Sequence, residues 1–280
     1  MAKVSGFADE ISPELSEQID GLTSLGVKYI ALRGCFKKNV MDWTAEECDR
    51  IKKALDAAGI GVGEIGSPVG KTPIDEPFEQ AAASLDHAIK LAQFFETPNL
   101  RMFSFYPPKE GDKAGWQKTY RDEVLKRLNA FVRQAAGSPV MLMLENEAEL
   151  YGDQPAECLD IFQNVRGPNF AMAFDPANFV SRTPLKVYEQ AWKPLRPFVQ
   201  HFHVKDYVPG AKTASPAGQG IGDLPQILAD LARDNYEGFL TLEPHLAQAG
   251  QFGGFSGLQR FKVAADALFA ICRKIGFAIQ

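Results

Sequence analysis

The chain has 280 residues, 45% hydrophobic and 23% charged, with thirty Lys and Arg against thirty-five Asp and Glu for a formal charge of -5. That composition suits a soluble globular protein with a large core, and its acidic balance leaves no broad basic field for the phosphates of a nucleic acid. No stretch approaches the roughly 18 apolar residues of a spanning helix, and the start, MAKVSGFADEISPEL, meets acid and Pro before a signal-like apolar run forms, so the expected setting is the cytoplasm, with neither nucleic acid nor membrane as partner.

Short β-rich runs alternate with amphipathic helical stretches from end to end. In chain order the strands are expected at Val4 to Ala8, Tyr29 to Arg33, Ile60 to Ile65, Leu100 to Tyr106, Val140 to Glu145, Phe170 to Asp175, Val199 to Lys205 and Phe239 to Glu243. The first helix is expected to open at Ser12-Pro13 and close at Gly26, and the second to run from Thr44 to Gly59, with Thr44 and Glu47 spaced as a capping box. Further helices are expected at Pro77 to Glu96, Tyr120 to Ala136, Pro155 to Val165, Pro184 to Leu195, Leu224 to Asn235 and Leu258 to Ile275. Strict alternation of this kind in one chain without a Gly, Ser or Pro-rich linker points to an α/β fold, a single (β/α)8 TIM barrel over residues 1–280, ahead of an open doubly wound sheet.

Two motifs in the third unit imitate nucleotide sites. Gly61 to Gly66 satisfies G-x-G-x-x-G, but it overlaps the strand, and Pro68 and Pro73 deny it an immediate helix. Gly66 to Thr72 resembles a P-loop but is one residue short between its glycines. A loop at the barrel mouth that brings Ser67 and Lys71 near a ligand is the expected use. Cys35, Cys48, Cys158 and Cys272 are scattered without a C-x-x-C pair, which suits reduced thiols.

Strand parity then selects a site. Alternate residues of a barrel strand face inward. Glu145 shares its face with Met143 and Met141, Asp175 with Ala173 and Ala171, His203 with His201 and Lys205, and Glu243 with Thr241. Glu145, Asp175, His203 and Glu243 are therefore expected as inward residues at the carboxyl ends of four successive strands, close enough for one coordination sphere. Three carboxylates in a partly buried mouth repel one another unless a cation holds them ionised. One divalent metal ion resolves that conflict, and mixed carboxylate and imidazole ligands suit Mn2+, Mg2+, Co2+ or Zn2+ without choosing among them.

The motifs LENE (Leu144 to Glu147), DPAN (Asp175 to Asn178), HVKD (His203 to Asp206) and LEPH (Leu242 to His245), with the earlier GFADEIS, YIALRG, IGSPVGK and LRMFSFY, resemble the xylose isomerase-like barrels, the sugar phosphate isomerases/epimerases. The resemblance covers nearly the whole chain and implies a metal held by the same four residues. It further implies that Glu145 and Glu243 move a proton at a sugar carbon. Two departures stand out: Asn178 occupies a position where relatives often carry His, and Gly218-Gln219-Gly220 replaces a common G-E-G.

The mechanism expected on this basis is proton abstraction beside a carbonyl by one glutamate, return by the other, and an enediolate stabilised by the metal. Lys205 and His245 are expected to polarise substrate oxygens, and Arg33, Lys71 and Arg101 to anchor hydroxyl, carboxylate or phosphate groups, with an ordinary salt bridge as the competing reading of each cation. Tyr106 and Phe105 offer an apolar wall for a sugar, or pack under a loop, and Asn178 joins the substrate contacts. Glu147 and Glu10 orient a ligand or substrate, although Glu10, just before Ser12-Pro13, is better placed to favour a helix start.

The expected partner is a small carbohydrate, and the residues leave the oligomeric state open, a homo-oligomer included. A keto-sugar or keto-inositol dehydratase begins with the same proton abstraction and is the main rival function. A multi-metal phosphodiesterase of the endonuclease IV type is disfavoured by the short supply of histidines, His87, His201, His203 and His245, and by the acidic charge. A non-catalytic sugar-binding protein on the same scaffold is the blandest alternative.

Overall fold

The computed structural model describes residues 1–110, 113, 115–246 and 257–280. Eight parallel strands close on themselves in sequence order: β1 Lys3–Gly6, β2 Tyr29–Leu32, β3 Gly61–Ile65, β4 Asn99–Met102, β5 Met141–Glu145, β6 Phe170–Phe174, β7 Val199–Val204 and β8 Phe239–Leu242. β8 pairs back onto β1 with Ser5 opposite Thr241, so the sheet has no edge and an open doubly wound arrangement is excluded. The fold is a single (β/α)8 TIM barrel.

The register carries the parity argument into space. Glu145 lies opposite Ala173, Ala173 opposite His201, and His203 opposite Thr241. Met143, Ala171 and Ala173 form a small apolar cluster of their own, with Met141 against it. The intervening residues, among them Leu142, Leu144, Phe174, Phe202 and Leu240, join the main core between strands and helices. Phe202 there stacks on Phe174 with centroids 5.9 Å apart and meets Trp192 edge-on; burying a ring of this size contributes roughly 1.5–3 kcal/mol.

The helices follow local chemistry where it is strong. Thr44 Oγ1 accepts the Glu47 N–H, and Glu47 Oε2 accepts the Thr44 N–H, completing the expected capping box of the helix Ala45–Ala58. Gly59 ends that helix at φ 67°, a left-handed conformation in which a side chain is strained. The first helix starts at Leu15 instead of Ser12-Pro13, because Ser12 Oγ is spent on the Glu14 N–H. The fourth starts at Trp116, about a turn before the expected Tyr120.

Three departures have tertiary causes. β1 ends at Gly6, and residues Ala8–Glu10 form a 3-10 turn that swings Glu10 into the barrel mouth. β4 ends at Met102, since Phe103, Phe105 and Tyr106 donate their N–H groups to Val69, Gly70 and Thr72 of the preceding loop. The single helix expected over Pro184 to Leu195 is replaced by a short helix Pro176–Val180, a π turn Tyr188–Trp192 and the turns Lys193–Leu195 and Arg196–Phe198. Pro194 and Pro197 have no N–H to give back along the helix, and Tyr188 and Trp192 are both drawn onto Asp230 Oδ2.

All four cysteines are buried and unbridged. Among the described residues, no helix is long and apolar enough to cross a membrane.

Candidate metal centre and active site

The carboxyl ends of β5 to β8 bring Glu145, Asp175, His203 and Glu243 together. One ligand atom from each lies within 4.8 Å of the others, and all four residues are buried. The turn after β6 explains how Asp175 is aimed: it caps the short helix Pro176–Val180, with Oδ1 accepting the Asn178 N–H at 3.0 Å and Pro176 at the first helical position. Its backbone N–H and C=O are both gripped by the Asn146 side chain, at 2.9 and 2.8 Å. Asn178 in turn gives its side-chain N–H to the Asn146 carbonyl at 2.9 Å and reaches Glu145 Oε1 at 3.4 Å. Asn178 thus contacts a carboxylate of the cluster.

The chain supplies more positive charge here than strand parity alone suggests. Lys205 Nζ stands 2.7 Å from Asp175 Oδ2 and 3.0 Å from Glu243 Oε2. Arg101 Nη1 lies 3.1 Å from Glu145 Oε2, and its Nη2 donates to the Gly66 carbonyl. Arg33 holds Asp9 through Nε, Glu243 through Nη1 at 2.9 Å, and Glu10 at 3.4 Å. Lys71 pairs with Glu147 at 2.8 Å.

These cations are the protein's own answer to the expected repulsion, and they divide the carboxylates. Burial pushes Glu243 up, but Lys205, His203 and Arg33 outweigh it and hold the carboxyl well below its ordinary range. Burial is likewise overcome at Glu145 by His203 and Arg101. Asp175 goes the other way, to about 7, because burial and the charges of Glu243 and Glu145 outweigh Lys205.

A cavity of about 320 Å3 adjoins the cluster at Glu243, and Arg33, Lys71, Arg101, Glu147 and His245 are among its other lining residues. His245 has φ 43°, and burial pushes its imidazole down to about 3, so it enters the site neutral at ordinary pH. Tyr106 is half-buried outside this lining, where burial and the charges of Glu147 and Glu149 raise its hydroxyl. Phe105 is fully buried and stacks on Phe131, under the loop and away from the cavity. Ser67 Oγ is spent on the Arg101 carbonyl at 2.5 Å.

Glu10 differs from its expected role at a helix start. It is fully buried, its Oε2 accepts the His245 N–H at 2.8 Å, and burial pushes its carboxyl up to about 8 against the pull of Arg33. The Gly218-Gln219-Gly220 segment also has a local explanation. Gly218, Gly220 and Gly222 all give N–H groups to the buried Asp206 carboxylate, and a Cβ on Gly220 would collide with it.

Parity reasoning passed over one functional candidate, Glu64. The pairing of β2 with β3 shifts between Ile30 and Ala31, setting Ala31 opposite Glu64 and leaving Gly63 as an extra residue. The bulge turns Glu64 inward, where Oε1 lies 3.1 Å from His201 Nε2 and 3.4 Å from His203 Nε2. The one local signal was a glycine before an acid in an otherwise β-rich run.

The donor set fits a divalent cation: three buried carboxylates and an imidazole nitrogen converge, and the protein's own ammonium and guanidinium groups already crowd their oxygens.

Residues 19–266 match the family model described as xylose isomerase-like TIM barrel, and the chain belongs to that family. No curated protein matches it. Among solved structures it is similar to the probable 3-DHS dehydratase AsbF of Bacillus anthracis, with 18% identity and a TM-score of 0.71 over 96% of this chain and 99% of that one. D-psicose 3-epimerase of Clostridium cellulolyticum H10, solved with D-tagatose, shows 16% identity and a TM-score of 0.70 over 98% and 99% of the two chains. A xylose isomerase-like TIM barrel protein of Mycobacterium smegmatis in complex with magnesium shows 14% identity and a TM-score of 0.72 over 98% and 97%.

Proposed function

We propose that this member of the xylose isomerase-like TIM barrel family is a divalent-metal-dependent isomerase or epimerase that moves a proton at a carbon beside a carbonyl in a small carbohydrate. The observation that carries the reading is the convergence of Glu145, Asp175, His203 and Glu243, a cluster that meets, through Glu243, a cavity large enough for a sugar. Likeness to a D-psicose 3-epimerase and to a magnesium-bound barrel supports it.

A divalent ion held by these four residues supplies the positive charge that stabilises negative charge developing on the substrate's oxygens. The remaining work falls to side chains. Glu145 and Glu243 are both kept ionised, as a base must be, and Arg101 sits between them, 3.1 Å from one and 3.8 Å from the other. One abstracts the proton and the other returns it, to the opposite face in an epimerisation. Both are ionised at rest, so the carboxyl that returns a proton must first take one up from water; Lys205, 3.0 Å from Glu243 Oε2, holds its own proton too firmly to supply it. Arg33, His245 and Lys71 line the cavity where substrate oxygens would lie.

A lyase is the second reading, favoured by the likeness to a probable 3-DHS dehydratase and by the cationic wall of Arg33, Lys71 and Arg101, which suits a carboxylate. Metal analysis of the purified protein, followed by ketoses, sugar phosphates and keto-acids in D2O, separates the two. Deuterium entering a substrate carbon without loss of water supports isomerase or epimerase chemistry; loss of water supports the lyase. Full metal content and full exchange in Glu145→Gln or Glu243→Gln would show the acid/base pair to be wrong.

A further inference from the structure

We propose that Glu64 is a positioning residue that holds His203 with Nε2 protonated and Nδ1 free to bind the metal, an inference that rests on the metal reading above. The His203 ring presents two different edges. Its Nδ1 faces the ligand cluster, 3.0 Å from Glu145 Oε1 and 3.6 Å from Glu243 Oε2. Its Nε2 faces the barrel interior, where Glu64 Oε1 lies 3.4 Å away. An imidazole that binds a metal through one nitrogen carries its hydrogen on the other, and a carboxylate at that second edge selects the tautomer and raises the ligand's basicity.

Glu64 is unusual for a barrel core. It is fully buried, and among the described residues its only ion-pair partners are His201 and His203. An isolated buried carboxylate is costly, and an apolar side chain would serve packing alone better. The surroundings hold it on station. His201 Nε2 lies 3.1 Å from the same Oε1 and 2.7 Å from Thr241 Oγ1, which in turn meets Ser5 Oγ at 2.6 Å. The rings of Phe7 and His201 each pack edge-on against His203 with centroids 5.5 Å apart, limiting its rotation.

The bulge that points Glu64 inward is itself built on a close contact. A Cβ at Gly63 would lie 3.1 Å from both the Phe239 ring and Ser5 Cβ, so the extra residue is one without a side chain. Bulge, carboxylate and histidine form one device beneath the ligand cluster.

The test uses Glu64→Leu, Glu64→Gln and the unaltered protein, each stripped of metal and titrated with Mn2+ against a chromogenic chelator, with bound ions counted. The unaltered protein should bind one ion per chain, and Glu64→Leu one ion about 10–100-fold more weakly. Glu64→Gln, whose amide oxygen keeps an acceptor at the Nε2 edge, should lose less, and it carries the test if the Leu variant does not fold. Nitrogen-15 NMR of the zinc-loaded proteins gives a readout that general destabilisation would not imitate. His203 should be Nδ1-bound and Nε2-protonated in the unaltered protein and should lose that single form in the Leu variant.

Affinities within twofold in folded variants would overturn the proposal while leaving the metal reading intact. Two ions per chain would also overturn it, because Glu64, His201 and His203 would then be a ligand set in their own right. No ion in the unaltered protein would overturn both.

Discussion

Lys205 offers the sharpest test of how charge is arranged at the site. Its ammonium lies 2.7 Å from Asp175 and 3.0 Å from Glu243 and is almost wholly buried. Lys205→Met keeps most of the length of the side chain and removes the charge. Breaking a buried pair by deleting one partner costs about 3–5 kcal/mol, and in a chain approaching this size each kcal/mol lowers Tm by roughly 2–4 °C. The metal-free variant should therefore melt roughly 6–20 °C below the unaltered protein. The lower end is expected, because Asp175, at about 7 even with Lys205 beside it, moves higher and takes up a proton that relieves the uncompensated charge.

Metal should act differently on the two proteins. An ion at a hundred times its Kd contributes about 2.7 kcal/mol, or roughly 5–11 °C. In the variant that ion also replaces the missing cation, so its metal-induced rise should exceed that of the unaltered protein. Thermal melts followed by circular dichroism at pH 7, after chelation and again with Mn2+, supply all four numbers. A rise in the variant no larger than in the unaltered protein, or a metal-free variant as stable as its parent, would refute the view of Lys205 as counter-ion to the ligand carboxylates.

Two further outcomes follow from the same geometry. Glu10 ionises at about 8 in the folded state against an ordinary 4.5, chiefly through burial, so the folded protein holds an extra proton between those values and stability falls as pH rises through that window; Glu10→Gln should gain on its parent between pH 5 and pH 8 in urea melts, and parallel curves would contradict the assignment. Gly70 and Gly59 both have positive φ, 86° and 67°, but a Cβ on Gly70 would collide with the Phe103 carbonyl while nothing lies near Gly59. Gly59→Ala should cost about 1–2 kcal/mol from backbone conformation alone, and Gly70→Ala distinctly more; equal losses on chemical denaturation would show that the loop before Lys71 has slack.

Much of this molecule was legible locally. The alternation of strand and helix needs only a few residues at a time, and a closed barrel is the arrangement that buries every such unit. Period-two parity within β5 to β8 singled out Glu145, Asp175, His203 and Glu243, whose ligand atoms do converge in space; the one register shift there, between Met172 and Ala173, comes before His201 and leaves His201 and His203 on one face. The Thr44 and Glu47 box and the Gly59 stop were equally local.

What required the tertiary structure depends on residues far apart in the chain. Glu64 faces inward because Gly63 bulges, at a point where Phe239 and Ser5 crowd any side chain. Glu10 reaches the mouth only because a tight turn follows β1 and the His245 N–H is there to receive it. Arg33, Arg101 and Lys205 are visible in the sequence as charges, but whether they meet substrate or carboxylates is a matter of distance between strands. The residues by themselves determined the barrel and which side chains crowd its mouth; closure of the sheet decided how their charges are shared, because Coulomb energy and desolvation depend on separations and burial that strand periodicity does not contain.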